Sequence, residues 1–309
     1  MALVAISNLT KISPLSGNSV FPIVQDGTTY SAEVSSVNNL NNLQSVTTVG
    51  NTTTNSIQVA SLTATGNITT GDNIASGSRS SAIGGLNLSA TGVDSIAGGG
   101  SNNTAANLRS SVIGGLENTA LSVDSIILGG KNNIAGGERS FIIGGFENIA
   151  TGVDSEIIGG SKSIANADRT TTIGGSRLSA TNTSAIVVGG VDNCAAGIRS
   201  AVIGGQNNTA SGNDSNVAGG CLNQAIGDFS NVTGGRYNTA CADHSAILGG
   251  TTNTILSAHT DSFIIGSNIT SSASATTFVN NLDVEDTITT TTLSATTIHA
   301  VSSFVEYID

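Results

Sequence analysis

Between residues 77 and 266 the apolar and polar positions of this chain recur with a period of fifteen. Two apolar residues precede a Gly-Gly pair in most units, as in Val112-Ile113, Ile127-Leu128, Ile142-Ile143, Ile157-Ile158 and Val202-Ile203. Twelve such pairs follow one another without a slip from Gly84-Gly85 to Gly249-Gly250. Four residues after the first Gly stands Asn in nine of the twelve units (Asn103, Asn118, Asn133, Asn148, Asn193, Asn208, Asn223, Asn238, Asn253). Six after it stands Ala in eleven, and eleven after it Ser in most, as at Ser95, Ser110, Ser125, Ser140, Ser200 and Ser215. A fixed period of this length means that each unit is one rung of a stack and each position a column along it.

The columns predict the elements. The apolar pairs are strand residues. Gly-Gly supplies backbone angles closed to other residues and marks a corner. The Asn column predicts amides bonded to one another along the stack, and the Ala column a thin interior. Fifteen extended residues reach roughly 50 Å, enough for two short strands and two turns but not for a wide three-sided coil. The expected fold is therefore all-β, a flattened parallel β-roll or β-solenoid of about twelve 15-residue rungs, on the order of 60 Å long. Neighbouring strand residues point to opposite faces, yet both members of the Val/Ile pair are apolar. One packs inside; the other needs a cover, and the simplest is a second copy of the chain about a symmetry axis. The pattern predicts a homotrimer.

A second period, of thirty residues, is laid over the first. The position before the Ser column reads Arg79, Asp94, Arg109, Asp124, Arg139, Asp154, Arg169, Ser184, Arg199, Asp214. Stacked rungs bring like positions within about 5 Å, so alternating signs predict a charge ladder. A one-rung slip would set Arg against Arg, which makes the ladder a register device rather than a binding stripe. The alternation ends at Phe229 and His244. A late thirteenth turn, Asp261-Ser262-Phe263-Ile264-Ile265-Gly266, arrives two residues out of step and closes the array.

Composition narrows the class. Only 10% of the 309 residues are charged and 3% aromatic, too apolar for disorder and too poor in bulk for an ordinary core. With a net charge of −11, three Lys and seven Arg, no nucleic-acid partner is expected. No apolar run approaches the ~20 residues of a membrane helix, and the start MALVAISNLTKISPLSG has no basic segment followed by an apolar one. Neither membrane insertion nor signal-directed export is expected. Cys194, Cys221 and Cys241 occupy different repeat positions without metal-ligand spacing and read as buried small hydrophobes.

The flanks complete a four-part organisation: 1–45 an N-terminal region, 46–76 a Thr-rich β linker, 77–266 the array, and 267–309 a β-rich tail. Asp26-Gly27 between Phe21-Pro22-Ile23-Val24 and Thr28-Thr29-Tyr30 predicts a hairpin. Two resemblances emerge. The unit Ile143-Gly144-Gly145, Asn148, Ala150-Thr151-Gly152, Ser155 is similar to the head repeats of trimeric autotransporter adhesins, and the likeness covers about 60% of the chain. It implies a left-handed roll assembled in threes. The opening Ile6-Ser7-Asn8-Leu9-Thr10, Leu15-Ser16-Gly17 and Phe21–Thr29 resembles the N-terminal segment of tailed-phage fibre and neck-appendage proteins. That resemblance implies docking of residues 1–45 on another structural protein of the virion.

An adhesin of the first family is expected to carry a signal peptide, a heptad stalk and an outer-membrane anchor, none of which this sequence spells out. The favoured expectation is a trimeric virion fibre, made in the host cytoplasm, that attaches to the particle and presents a distal end to a host-surface receptor. The alternative is the head of a bacterial cell-surface adhesin; a sugar-cleaving tailspike ranks below both. No enzyme and no cofactor or metal are expected. His244, His259 and His299 lack a nucleophile at a known spacing, and no glycosidase-type carboxylate pair stands out. Gly92-Val93-Asp94, Gly152-Val153-Asp154 and Gly212-Asn213-Asp214 resemble calcium-binding repeats only in part, because the period is wrong. A Thr-x-Thr face of the ice-binding kind occurs at one rung, Thr170-Thr171-Thr172.

Overall fold

The structure is a computed structural model that describes residues 68–281, all of it β-structure and turns with no helix. The chain winds into a parallel β-solenoid of about fourteen turns. Each rung gives one strand to a 15-stranded sheet and, in most turns, a two-residue strand to a 13-stranded sheet. Through the array as far as Ala246 each strand pairs in parallel with the one fifteen residues on, as Ile127↔Ile142↔Ile157 in the first sheet and Ala120↔Ala135↔Ala150 in the second. A third line of single bridges, Leu86↔Ser101↔Leu116 through Arg236↔Thr251, runs along the Gly-Gly corner. At ~4.8 Å per rung the rod is on the order of 65 Å long.

Pairing reaches past the 77–266 array on both sides, from Ile68↔Ser81 to Ile265↔Val279. The late turn is accommodated by a seventeen-residue step, Ala246↔Phe263. The 1–45 region, its hairpin at Asp26-Gly27, most of the 46–76 linker and the tail beyond residue 281 lie outside the described residues.

Four residues per rung carry positive φ, and they make the corners. In one rung these are Gly114 (76°), Gly115 (84°), Glu117 (58°) and Asp124 (58°). Amides along a rung bond to both neighbouring rungs: Ser111 N donates forward to Ser125 O at 2.9 Å, whereas the left-handed Arg109 and Glu117 donate backward, to Val93 O at 2.8 Å and to Ser101 O at 2.9 Å. The corner amides are thereby satisfied as those of the strands are.

The two glycines of a pair answer different demands. A Cβ on Gly204 would meet nothing within 4 Å, so that position needs only its φ of 76°. A Cβ on Gly205 would fall deep inside Gly220 O and Asn208 Nδ2. The first Gly is a conformational requirement and the second a steric one.

The interior is as thin as the Ala column implies. Val112, Ile127, Ile142 and Ile157 of the first sheet and Ala105, Ala120, Ala135 and Ala150 of the second are all fully buried. Buried Asn and Ser columns close the two ends of this slot. Of each Val/Ile pair the first member is inside and the second outside: Val112 and Val202 are buried, Ile113 and Ile203 are 53% and 52% exposed.

Candidate functional site

Three features of the rod gather functional side chains: two charged corners and one apolar face. The first corner is the Arg/Asp column. Its left-handed residues project outward, and successive rungs place them side by side. Arg79 grips Asp94 through Nε–Oδ1 and Nη2–Oδ2, both 2.5 Å. Arg109–Asp124 (2.5 and 2.6 Å), Arg139–Asp154 (2.6 and 2.9 Å) and Arg199–Asp214 (2.6 and 2.5 Å) repeat the two-pronged geometry. Arg139 also pairs with the neighbouring Glu138. Arg169 instead meets Ser184 Oγ at 3.3 Å.

The column is thus a row of discrete pairs and not the continuous ladder expected. Each Arg of these pairs commits both prongs to the Asp fifteen residues on; towards the preceding Asp94, Arg109 exerts only a weaker Coulomb attraction. Hydrogen bonding from the Arg holds the carboxyls of Asp94, Asp124, Asp154 and Asp214 below the usual carboxylate range; desolvation opposes it in part, and Coulomb attraction adds a smaller share. The same pairs raise their Arg partners.

The opposite corner holds a second column that the Arg/Asp alternation gave no hint of. It runs through Asn87, Asn102, Glu117, Asn132, Glu147, Lys162, Arg177, Asp192 and Asn207, all at φ between 54° and 58°. Arg177 grips Asp192 at 2.5 and 2.6 Å, Lys162 Nζ lies 3.6 Å from Glu147, and Asn87 bonds Asn102 at 3.2 Å. The signal was present, since these residues stand three after each first Gly. It was masked because Asn dilutes the charges.

The buried Asn column departs from the expected amide ladder. Asn118 Oδ1 accepts the backbone N–H of Asn133 (3.0 Å), and Asn133 Oδ1 that of Asn148 (3.0 Å). The Nδ2 groups donate to glycine carbonyls, as Asn208 to Gly204 and Gly220. Side-chain amides bond backbone more than one another, because the corner glycines bare carbonyls that need a donor. The three cysteines are also corrected: all are free and half-buried, since they sit in outward-facing columns. Burial raises the thiols of Cys194 and Cys241.

His244 stacks on Phe229 with centroids 5.0 Å apart and planes 4° from parallel, and its Nδ1 lies 3.9 Å from Asp261. His259 Nδ1 is 2.7 Å from Ser271 Oγ; His299 lies outside the described residues. The aspartates of the Gly-x-Asp elements, Asp94, Asp154 and Asp214, are engaged by arginines. Thr170 and Thr172 are fully buried and form no outward Thr face. Among the described residues no three His, Cys, Asp or Glu side chains converge as a metal site would require.

No family model matches this chain, and no curated protein matches it.

The apolar face is the outer side of the 15-stranded sheet. Ile83, Ile113, Leu128, Ile143 and Ile203 form one exposed column, flanked by Ile96, Ile186 and the half-buried Ile126 and Phe141. The face turns polar at Asn216 and Asn231, whose side chains meet at 3.4 Å. From Ile83 to Ile203 it spans nine rungs, roughly 40 Å at the strand spacing. Exposed apolar side chains thus line this face over most of its length, interrupted by Ser81, Gly98, Ser111, Glu156 and Thr171.

Proposed function

We propose that this chain is the rod-forming segment of a homotrimeric virion fibre, anchored through residues 1–45 to another structural protein of the particle and presenting its far end to a host-surface receptor. The observation that carries the reading is the apolar outer column on a continuous parallel solenoid. Its side chains repeat every ~4.8 Å, and only a partner with the same repeat can cover all of them in step. A second copy of the chain has that repeat, and closed symmetry makes the contact self-limiting. The number three rests on the two-faced apolar pattern together with the resemblance to adhesin head repeats, and virion attachment on the resemblance of the opening segment to phage fibres. The mechanism is geometric: stacking gives length, the shared apolar faces give stiffness, and the paired corners oppose slippage by one rung.

Peptides of the chain in purified virions, with antibody labelling on an appendage of the particle, are the expected result. Labelling of intact uninfected bacteria with none on virions would overturn the reading and favour a cell-surface adhesin head.

A further inference from the structure

One place in the rod breaks three interior columns at once, leaving only the Ala column intact through Ala165 and Ala180. The apolar core is two clusters, one from Ala82 to Ala165 and the other from Leu178 to Ile264. Between them, in the column that runs Ile157, Thr172, Val187, the fully buried Thr172 offers a hydroxyl with no partner. The Asn column fails over the same two rungs. Asn148 Oδ1 still accepts the amide of Ser163 at 2.9 Å, but Ser163 Oγ bonds nothing and the next member is Leu178. The side chain-to-backbone chain resumes only with Asn193, which accepts from Asn208. In the Ser column Ala185 stands where a hydroxyl normally bonds the corner carbonyl, as Ser200 does to Gly197.

The corners break with the core. Arg79–Asp94, Arg109–Asp124, Arg139–Asp154 and Glu147–Lys162 lie on the N-terminal side, Arg177–Asp192 and Arg199–Asp214 on the C-terminal side. None of these ion pairs joins the two clusters. What crosses is the backbone ladder, with Glu156 N to Thr170 O at 2.8 Å and Thr171 N to Ala185 O at 3.0 Å. Two side-chain bonds assist it, Val153 N to Asp168 Oδ1 at 3.2 Å and the single-pronged Arg169 Nε to Ser184 Oγ at 3.3 Å. In a stack where each rung touches only its neighbours, stability is a sum of nearest-neighbour terms, and one weak interface divides the whole into two cooperative blocks.

We infer that the rod is two stiff blocks, 68–165 and 178–281, joined at a compliant seam in the Thr172 rung, and that it opens or bends there first. The seam follows from the stacking alone and stands whether or not the chain is a virion fibre. The outer face stays apolar across the seam at Ile158, Ile173 and Val188, so self-association splints the joint without removing it.

Native-state hydrogen exchange on the full-length protein, with peptides read by mass spectrometry under rising denaturant, tests this. Amides of residues 163–185 are expected to exchange at least about tenfold faster than rungs on either side, and the two blocks to open with separate denaturant dependences. Thr172→Val removes the unpartnered hydroxyl at nearly constant volume and is expected to slow seam exchange about tenfold. Val202→Thr plants the same defect elsewhere and is expected to create a new fast-opening rung around residue 202. Uniform protection through residues 150–200, or seam exchange unmoved by Thr172→Val, overturns the inference.

Discussion

Replacing Asn208 by Ala tests whether the buried Asn column holds the rungs together. Asn208 is fully buried, accepts the Asn223 amide at 3.0 Å, and donates to Gly204 O at 3.2 Å and Gly220 O at 3.0 Å. Truncation does not strand the carbonyls, because Gly204 O keeps Asn193 Nδ2 (3.0 Å) and Gly220 O keeps Gln206 N (2.9 Å). The Asn223 amide is the group left unsatisfied. An orphaned buried N–H costs about 1–3 kcal/mol, and the void left by the amide adds roughly 1 kcal/mol. The expected loss is about 2–4 kcal/mol, or on the order of 5–15 °C at about 2–4 °C per kcal/mol for a unit of this size.

Asn208→Leu separates the two contributions. Leu178 occupies the same column position without exposure, so the slot accepts that volume. The leucine side chain fills the void but leaves the Asn223 amide unpaired, and the loss in this variant is expected to fall between those of wild type and the Ala variant. Thermal and denaturant unfolding, followed by far-ultraviolet circular dichroism, read both variants. An Ala variant within about 1 °C of wild type would refute the view that this column cross-links rungs.

The remaining predictions use the same measurement or a variation of it. Gly205→Ala is expected to prevent normal stacking, because its Cβ collides with Gly220 O, whereas Gly204→Ala, in open space, costs only left-handed strain of about 1 kcal/mol; equal effects would contradict the division of labour within the Gly pair. Asp124→Arg breaks the grip of Arg109 and lines up three cations at positions 109, 124 and 139, so the melting temperature should fall, and fall more at low salt. An unchanged melting temperature would make that corner irrelevant to folding. The five Arg-gripped carboxyls, Asp94, Asp124, Asp154, Asp192 and Asp214, have depressed folded-state values. Their stabilisation is therefore complete above the unfolded carboxylate value near ~4 and is lost as pH falls below it. A pH titration of the melting temperature should show that acid limb, made shallower by Asp124→Asn and Asp154→Asn together; an identical limb in the double variant would refute the assignment.

Much of this fold is written in the period. A fifteen-residue repeat of Val/Ile, Gly-Gly, Asn, Ala and Ser leaves few alternatives to a stack, and Val112 inside with Ile113 outside follows from strand alternation alone. What the pattern could not convey was backbone sense at the corners. Arg109, Glu117 and Asp124 adopt left-handed angles that residue identity does not announce, because bidirectional bonding between rungs supports them after the stack exists. Asn residues among the charges hid the second charged corner, and carbonyls bared by the corner glycines turned an expected amide ladder into side chain-to-backbone bonds. The seam at Thr172 was visible in outline, as a Thr, a Ser and a Leu out of column. Its weight came only when buried hydroxyls, split core and missing cross-rung pairs coincided. The apolar face was the part of the candidate site most legible in advance, since burial of one member of each pair forces exposure of the other.

A homotrimeric rod requires that face to be shared between copies. Sedimentation equilibrium of the purified full-length chain measures it directly: the expected mass is three times the 30.6 kDa of one chain, falling to a single chain when Ile113 and Ile143 are both replaced by Asp. A wild-type protein that is folded and sediments as a stable 30.6 kDa monomer would contradict it.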